Sequence, residues 1–332
     1  MNKMAGFSVM IEKLKKSPKT IVFTEGTDPR ILEAASRLLA SNFLTPILVG
    51  NKEEVEKAAE EYGFNIRGGQ VIDPQNFDRI DEMVDLYCEL RKSKGVTPED
   101  ARKALSQGNN FGTMLVKMGI ADSLLGGATY STADTVRPAL QLIKTKPGSS
   151  VVSSCFILVR PSATGDNEVL AMGDCAINIK PTEDQLVEIA YASAECGKVF
   201  GIDPKVAFLS YSTLGSGKGE DVDKMRNAAA KAKAAYPDLP IEGEIQFDAA
   251  VSPRVAKTKC PDSAVAGHAN VFIFPDINAG NIGYKIAQRL GNFEAYGPIL
   301  LGLNAPINDL SRGCNAEEVY SMAIITAALV ED

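Results

Sequence analysis

The stretch "NDLSRGCNAEE" at residues 308–318 combines side chains that could do chemistry on an anionic substrate. One arginine, Arg312, and several carboxylates, Asp309, Glu317 and Glu318, lie here in a loop just before an apolar helical run. The same spacing also has a purely structural interpretation, because Asn315 as a helix N-cap and Glu318 three residues later form a capping box. The pattern leaves cap and chemistry both open.

Two further arginines lie near predicted helix ends. In "GGATYSTADTVRPAL", Ser131 or Thr132 could cap a helix, and Arg137 lies about two turns into it. Turn amides, hydroxyls and a guanidinium together could bind an anion, whereas the structural alternative is a capped surface helix. Arg91 in "ELRKSKG" has the same two interpretations, a solvated helix end or a phosphate-binding arginine.

A further candidate is the segment "FPDINAGNIGYKIAQRLG", which predicts a strand, a turn of small residues and a helix. The helix carries Asn281, Tyr284 and Lys285. Ligands bind at the carboxyl ends of strands in open α/β sheets, so these three are candidate binding residues. The alternative is a tight strand-to-helix turn that binds nothing.

The glycine-rich segment "STLGSGKGE", residues 212–220, matches a nucleotide-binding loop poorly. The P-loop pattern requires Gly at the position of Ser212 and Ser or Thr at that of Gly219. A solvent loop, or a turn that lines a cleft, is therefore favoured over an ATP-hydrolysing loop. No G-x-G-x-x-G follows a predicted strand, so a dinucleotide-binding fold has little support.

The elements that must position these residues alternate along the chain. Short β-branched runs such as "KTIVF" alternate with amphipathic stretches of ten or more residues, as in βαβ units with a parallel sheet. Asp28 followed by Pro29, and Thr97 followed by a Pro and acids, predict helix starts. "VVSSCFILVR" and "EVLAMGDCAINI" flank a polar loop and predict a hairpin. The Pro/Gly/Ser stretch near 146–150 predicts a domain boundary.

Composition excludes several classes of function. A length of 332 residues favours two domains, and a net charge of −7 argues against nucleic acid or an anionic membrane as a partner. Six cysteines without a CxxC pair indicate reduced thiols and a cytoplasmic protein. No secretory signal is recognisable, and "MAIITAALV" is too short to span a bilayer. A single histidine disfavours histidine triads and histidine-rich metal sites.

Three stretches together resemble the bacterial phosphate acetyltransferases, or phosphotransacetylases: "STADTVRPALQ", "FPDINAGNIGYKIAQRLG" and "YGPILLGLNAPINDLSRGCNAEE". The resemblance runs essentially from end to end. It implies an α/β fold of two α/β domains with mainly parallel sheets and an active-site cleft between them. It places 1–147 plus 303–332 in the first domain, to which the C-terminal helix returns. The second domain, 148–302, would make the contact of a homodimer.

The resemblance also implies a reaction, acetyl phosphate plus coenzyme A (CoA) giving acetyl-CoA plus phosphate, reversibly. In the ternary complex a carboxylate takes the thiol proton, and the thiolate attacks the acetyl carbonyl without an acyl-enzyme. The substrates are then acetyl phosphate, CoA and phosphate, with no tightly bound cofactor and no metal. Nucleic acid and membrane are not expected as partners.

Residue roles follow from motif position. Arg312 would hold the phosphoryl group with Ser311 beside it, and Arg91 and Arg137 would contact CoA or acetyl phosphate. The catalytic carboxylate of the family falls six residues after the motif arginine, at Glu318, where the family usually has Asp. Competitors for that role are Glu317 and, more weakly, Asp309. The remaining candidates for substrate binding are Ser131, Thr132, Asn281, Tyr284 and Lys285. Leu214 departs from the Lys of many members.

Other functions stay open at this point. A phosphate butyryltransferase shares the fold, and a non-catalytic acetyl-CoA-sensing module would bind CoA without turnover. A phosphotransferase would use "GSGKGE" and depend on Lys218.

Overall fold

The computed structural model describes residues 5–162 and 167–331, and the chain divides into two compact units. The first unit comprises residues 10–147 and 303–332. The second comprises residues 148–302 together with the N-terminal residues up to Val9. Each unit is built around a β-sheet of its own.

The described residues form eleven strands: β1 (Lys19–Phe23), β2 (Leu44–Val49), β3 (Gln70–Ile72), β4 (Ser123–Gly126), β5 (Ser153–Pro161), β6 (Asn167–Gly173), β7 (Val206–Leu209), β8 (Ile241–Ile245), β9 (Val271–Ile273), β10 (Glu294–Leu301) and β11 (Ile307–Asp309). They form thirteen α-helices: α1 (Ala5–Lys16), α2 (Pro29–Ser41), α3 (Lys52–Tyr62), α4 (Ile80–Leu90), α5 (Pro98–Leu105), α6 (Gly108–Lys117), α7 (Thr132–Pro138), α8 (Glu183–Val199), α9 (Glu220–Ala235), α10 (Phe247–Val251), α11 (Pro253–Lys259), α12 (Ile277–Leu290) and α13 (Ala316–Ala328).

The sheet of the first unit is entirely parallel, with the strand order β11-β4-β1-β2-β3. Its central strand β1 buries Ile21, Val22 and Phe23 completely, as expected for a parallel strand covered on both faces. Helix α13 packs on this unit against α2, β4 and β1. The ammonium of Lys13 donates to the carbonyls of Ala328 and Val330 and so ties α1 to the end of α13.

The sheet of the second unit is mixed, with the order β10-β5-β6-β9-β7-β8. Strands β5 and β6 form the predicted antiparallel hairpin, and β10 adds to β5 antiparallel. The other three strands, β9, β7 and β8, pair in parallel. The prediction of an α/β fold with mainly parallel sheets is therefore confirmed.

Helix starts follow the local capping patterns. The Asp28 carboxylate accepts from the backbone N–H of Arg30 at 2.9 Å, and Pro29 is the first residue of α2. Thr97 and Asp100 form a reciprocal capping box at the start of α5. Both helix starts were predicted, because the residues that satisfy the free N–H groups lie within three positions of each other.

Strand β11 was not predicted. It has three residues, and two of them, Asn308 and Asp309, are polar, so the segment reads as a loop. The strand is nevertheless buried, because its polar side chains find partners inside the unit. The Asn308 amide donates to the hydroxyl of Thr326 at 2.8 Å.

The six cysteines are all free thiols, and five of them are buried while Cys88 is half-buried. Over residues 5–162 and 167–331, no helix combines the length and apolar character needed to cross a bilayer.

Candidate functional site

Two loops of the first unit leave its sheet side by side. Strand β11 pairs in parallel with β4, and Asp309 lies opposite Gly126. The backbone N–H of Leu310 donates to the carbonyl of Gly126 at 2.7 Å, directly after the last pair of the ladder. Because both strands end at this edge, the loop before α7 and the loop before α13 begin next to each other.

Asp309 joins these loops. Its carboxylate is buried and accepts hydrogen bonds from the hydroxyls of Thr132 and Thr135, each at 2.6 Å. Burial raises the pKa of Asp309, and the two hydroxyl donors oppose the shift only in part. Gly127 has a φ of +101°, and a Cβ there would lie 2.3 Å from Asp309 Oδ1. With both oxygens occupied, Asp309 holds the first turn of α7 in place.

The loop after β11 carries Ser311 and Arg312, both exposed. The Ser311 hydroxyl accepts from the N–H of Gly313 at 3.2 Å, and the Ser311 carbonyl accepts from the N–H of Cys314 at 2.9 Å. The Arg312 side chain makes no hydrogen bond or ion pair with any residue in 5–162 or 167–331. Its backbone is fixed, however, because Arg30 Nη1 donates to the Arg312 carbonyl at 2.9 Å. The loop therefore presents an exposed guanidinium from an anchored chain.

The thiol of Cys314 lies beneath this loop. Burial raises its pKa to about 11, even though the nearby Arg30 acts in the opposite direction. The thiol is therefore protonated at neutral pH, and its place in the loop is that of a small apolar residue.

The two glutamates that follow the loop have different partners. Glu318 forms the capping box with Asn315: the Glu318 N–H donates to Asn315 Oδ1 at 2.9 Å, and Glu318 Oε2 accepts from the Asn315 N–H at 3.0 Å. Glu317 instead pairs with Arg37 of α2 at 2.8 Å, and that guanidinium lies 4.1 Å from the centre of the Tyr320 ring. The structural interpretation of Glu318 is thus confirmed, while a catalytic role for it stays a prediction.

A polar pocket of ≈ 510 Å³ lies in the same unit, at the carboxyl end of β1. Its lining consists of Thr24, Glu25, Gln107, Gly108, Asn109, Asn110, Thr129, Tyr130, Asp134, Arg137, Pro138 and Gln141. Most of these side chains can donate or accept hydrogen bonds, so the pocket suits a polar ligand.

Glu25 is the most constrained carboxylate of the pocket. Its Oε1 accepts from the backbone N–H groups of Gly127 at 3.0 Å and Thr129 at 3.1 Å, and its Oε2 accepts from the Thr24 hydroxyl at 2.7 Å. Burial raises the pKa of Glu25 in spite of these donors. The Thr24 hydroxyl also shares a hydrogen bond of 2.7 Å with the phenol of Tyr130. Glu25 therefore fixes the turn that leads from β4 to α7.

Three residues on or next to α7 were predicted to bind an anion, and they differ in whether they line this pocket. Arg137 lines it, and the Arg137 guanidinium pairs with Asp134. Ser131 occupies the N-cap position, but its side chain accepts no hydrogen bond from a backbone N–H of the helix; its hydroxyl donates to Asp134 at 2.7 Å. Ser131 therefore occupies the predicted N-cap position without making the side-chain capping bond, and its hydroxyl donates to the Asp134 carboxylate instead. Thr132 is bound to Asp309, as described above.

The other predicted binding residues lie elsewhere. Arg91 ends α4, which packs against the π-helical turn Ala139–Ile143, and its charge partly offsets the burial that raises the pKa of Tyr87. The Arg91 side chain makes no hydrogen bond or ion pair with any residue in the described ranges.

In the second unit, the Asn281 amide donates to the carbonyl of Cys175 at 3.1 Å. The Tyr284 ring stacks on Phe156 with 3.9 Å between ring centres, and the exposed Lys285 ammonium lies 5.4 Å from the centre of the Tyr284 ring. Asn281 and Tyr284 thus have structural partners, and the predicted binding role of all three residues stays a prediction.

The glycine-rich segment 212–220 is organised around a carboxylate. The buried Glu244 accepts from the Ser212 hydroxyl at 2.9 Å, from the Gly215 N–H at 2.7 Å and from Arg226 Nε at 2.9 Å. A loop whose amide already binds a carboxylate is a poor phosphate cradle, since the two anions would compete for the same donor.

Sequence reasoning missed Glu25, Tyr130, Asn109 and Arg30. The segment "KTIVFTEG" held the signal for Glu25, because a Thr-Glu pair directly follows a buried strand, where open α/β sheets bind their ligands. The contacts of Arg30 join residues far apart in the chain, and nothing local indicates them.

Comparison with known proteins identifies the family. The family model described as phosphate acetyl/butaryl transferase matches residues 7–327. The chain belongs to the phosphate acetyl/butaryl transferase family. The predicted class of enzyme, a transferase, is thereby confirmed.

Three relatives of this family are similar over almost their full length. The chain is 52% identical to the phosphate acetyltransferase of Bacillus subtilis (strain 168), over 97% of this chain and 98% of that protein. A solved phosphotransacetylase from Streptococcus pyogenes is 53% identical with a TM-score of 0.93, and the EutD phosphotransacetylase from Staphylococcus aureus is 46% identical with a TM-score of 0.91. Each structural match covers 98% of both chains.

Across the part of the chain that is described, no group of three or more His, Cys, Asp or Glu side chains is arranged to hold a metal ion. The side chains of the site are hydroxyls, carboxylates, amides and guanidinium groups, which suit the binding of anions and the transfer of protons.

Asp309→Asn should reveal the raised pKa of Asp309 as a change in pH-dependent stability. The folded state retains this proton more strongly than the unfolded state, so wild-type stability falls as pH rises above about 4 and the carboxyl ionises. The variant lacks that loss. Its free energy of unfolding, relative to wild type, should therefore increase between about pH 4 and pH 7 in urea titrations.

Asp134→Asn is the matched control for Asp309→Asn. The Ser131 hydroxyl and then Arg137 lower the pKa of Asp134, so this carboxylate stabilises the fold above its unfolded pKa. Relative to wild type, its variant should lose stability as pH rises to about 4, the unfolded pKa, and the difference should then stay constant up to about pH 7. Parallel curves for the two variants would contradict the assignment.

Proposed function

We propose that the chain catalyses the reversible transfer of an acetyl group from acetyl phosphate to CoA, releasing phosphate. The observation that carries the proposal is the exposed guanidinium of Arg312 on a loop whose carbonyls are held by Arg30. A planar guanidinium in fixed orientation binds a phosphoryl group through two parallel hydrogen bonds. Relatives named phosphate acetyltransferase, about half identical over the full length, support the same reaction.

The chemistry requires a base and a cation. A thiol with a pKa near ~8.5 is only a few per cent ionised at neutral pH, so Glu318 takes the thiol proton of CoA. The sulfur then attacks the acetyl carbon, the carbon–sulfur bond forms, and the carbon–oxygen bond to phosphate breaks with its electron pair on the phosphate oxygen. Arg312 stabilises the charge that develops on the phosphate, and Ser311 donates a hydrogen bond to it.

The remaining candidates bind the substrates. Arg137, in the polar pocket, and Arg91 contact the anionic groups of CoA or acetyl phosphate. The hydroxyls of Ser131 and Thr132 lie at the start of the short helix α7, whose last turn carries Arg137. Of the three candidates on α12, namely Asn281, Tyr284 and Lys285, the exposed ammonium of Lys285 is best suited to a phosphate of CoA.

The cellular context is part of the proposal. Free, mostly buried cysteines suit the reducing cytoplasm. The substrates are acetyl phosphate, CoA and phosphate, and no tightly bound cofactor takes part. The position of the active site in a cleft between the domains stays a prediction.

Two alternative functions predict different results in an activity assay. A phosphate butyryltransferase would turn over butyryl phosphate faster than acetyl phosphate, and a non-catalytic sensing module would bind CoA without turnover. The similarity to proteins named acetyltransferases favours the acetyl substrate.

The purified protein should consume acetyl phosphate only when CoA is present, and Arg312→Ala should lower kcat by about 10²–10³, as expected for a lost donor to developing charge. The assay follows thioester formation by its ultraviolet absorbance and compares the rates with acetyl, propionyl and butyryl phosphate. Arg67→Ala, an exposed arginine of the same unit, is the control and should retain full activity. No turnover by wild type at any pH from about 6 to 9 would contradict the proposed function.

Glu318→Gln should distinguish the catalytic role of Glu318 from its role in the capping box. Glutamine retains the carbonyl oxygen that accepts from the Asn315 N–H, so the capping box and the stability should be preserved. The carboxylate is lost, and kcat should fall by about 10²–10⁴. Glu317→Gln is the matched control, since it removes the neighbouring carboxylate, which is paired with Arg37. Equal activities of Glu318→Gln and wild type would exclude Glu318 as the base.

We also propose that the second unit makes a homodimer contact through an exposed apolar stripe on α12. Ile282, Ile286 and Leu290 are 57%, 54% and 80% exposed and share one face at a spacing of four residues. Ile179, 68% exposed, lies beside the start of the helix, where its carbonyl accepts from the Ile277 N–H. Apolar surface of this kind is favourable when a second copy covers it.

Ile286→Glu should shift the protein from dimer to monomer, because a carboxylate would be buried without a partner in the contact. Light scattering coupled to gel filtration at micromolar concentration measures the mass. Tyr62→Glu, which changes a similarly exposed side chain in the first unit, is the control and should stay dimeric. A monomeric wild type, or a dimeric Ile286→Glu, would exclude this surface.

A further inference from the structure

The guanidinium of Arg30 has all of its N–H groups engaged within the protein. Nε and Nη2 donate to the two oxygens of Asp28 at 2.9 and 2.7 Å, and Nη2 also donates to the carbonyl of Ala128 at 2.9 Å. Nη1 donates to the carbonyls of Arg312 at 2.9 Å and Cys314 at 3.1 Å. A guanidinium has five N–H donors, so these five contacts leave none for a substrate.

The charge of Arg30 is also compensated. Burial by itself would raise the pKa of Asp28, but the hydrogen bonds and the charge of Arg30 outweigh burial and hold that pKa below its ordinary value. Asp28 is therefore ionised at neutral pH and forms a two-bond pair with Arg30. The Arg30 and Asp28 side chains are 26% and 10% exposed, and an ion pair that is already neutralised is poorly suited to attract an anionic substrate.

The two carbonyls bound by Nη1 belong to the residues on either side of Gly313. Fixing both of them fixes the peptide units that carry Arg312 and lead into α13. The bond from Nη2 to Ala128 fixes the turn between β4 and α7 with the same group. One side chain of α2 therefore sets the relative position of the loop that carries Arg312 and the turn that leads to Thr132.

We propose that Arg30 is a positioning residue for Arg312, and that it acts on turnover through the loop carbonyls and makes no contact with the substrates. This inference rests on the proposed function, in which Arg312 binds the phosphoryl group. Misplacing a catalytic group by about 1 Å can cost about 10²-fold in rate. A lysine supplies one point charge and three donors from a single nitrogen, so it cannot span Asp28, Ala128 and the two loop carbonyls together.

Arg30→Lys and Arg30→Ala test the proposal by steady-state kinetics. Both should lower kcat, Arg30→Lys by at least about tenfold and Arg30→Ala by about 10²-fold, while KM for CoA and for acetyl phosphate stays within about threefold of wild type. Thermal unfolding checks the fold. Arg30→Lys retains a cation next to Asp28, and it carries the test if Arg30→Ala does not fold.

Chemical rescue gives a second readout. Guanidinium chloride at low millimolar concentration should restore part of kcat in Arg30→Ala, because the free ion can occupy the vacated site and donate to the same carboxylate and carbonyl acceptors, whereas ammonium should not. Arg79→Ala is the control: Arg79 pairs with Glu82 on the surface of α4, and its variant should be fully active and insensitive to guanidinium.

The outcomes distinguish the positioning role of Arg30 from the proposed function of the protein. An inactive wild type would refute the proposed function itself. An active wild type with unchanged kcat in Arg30→Lys would overturn the positioning role alone. The same holds if the loss is confined to KM for CoA, or if the variants lose the discrimination between CoA and dephospho-CoA, since Arg30 would then bind the substrate directly.

Discussion

The parallel pairing of β11 with β4 is the constraint on which the site depends. It sets Asp309 opposite Gly126 and continues as the hydrogen bond from the Leu310 N–H to the Gly126 carbonyl. Residues nearly two hundred positions apart in the chain thereby leave the sheet at the same edge. Because loops at the carboxyl ends of neighbouring strands meet by geometry, this ladder holds the loop that carries Arg312 next to the turn that leads to Thr132, whose hydroxyl donates to Asp309.

The charges around this edge leave the guanidinium of Arg312 without a carboxylate partner among the described residues, whereas the guanidinium of Arg137 is paired with Asp134. Asp309 is buried and Glu25 half-buried at strand ends, and they accept from hydroxyls and backbone N–H groups, with no arginine among their hydrogen-bond donors in the described ranges. Arg30 is paired with Asp28 and donates to backbone carbonyls, and Arg37 is paired with Glu317. The positive charge of Arg312 is thus retained for an anion, and its backbone gains rigidity from an arginine whose own charge is already compensated.

The sequence allowed prediction of what is decided locally. The starts of α2 and α5 and the capping box at Asn315 were foreseen because each cap and its partner lie within a few residues. Strand β11 was missed because three residues, two of them polar, carry no periodicity. The role of Arg30 was also missed, since its bond to the Arg312 carbonyl spans 282 positions. Glu25 was predictable, because the segment "FTEG", like "FPDINAG", directly follows a buried strand, and open α/β sheets bind ligands at the carboxyl ends of their strands.

Glu318 shows why a structural and a catalytic interpretation of one residue need not exclude each other. A capping interaction is worth about 1 kcal/mol, and the backbone N–H of the exposed Asn315 can be hydrated when the carboxylate turns away. A base that accelerates a step by about 10²–10⁴ lowers its barrier by about 3 to 5 kcal/mol. In the proposed reaction the chemical gain is therefore larger than the cost of leaving the cap, and the capped rotamer keeps the carboxylate at the start of α13, six residues after Arg312. The two interpretations would conflict if the carboxylate were buried, as that of Asp309 is, because its release would leave the buried hydroxyl of Thr135 without an acceptor.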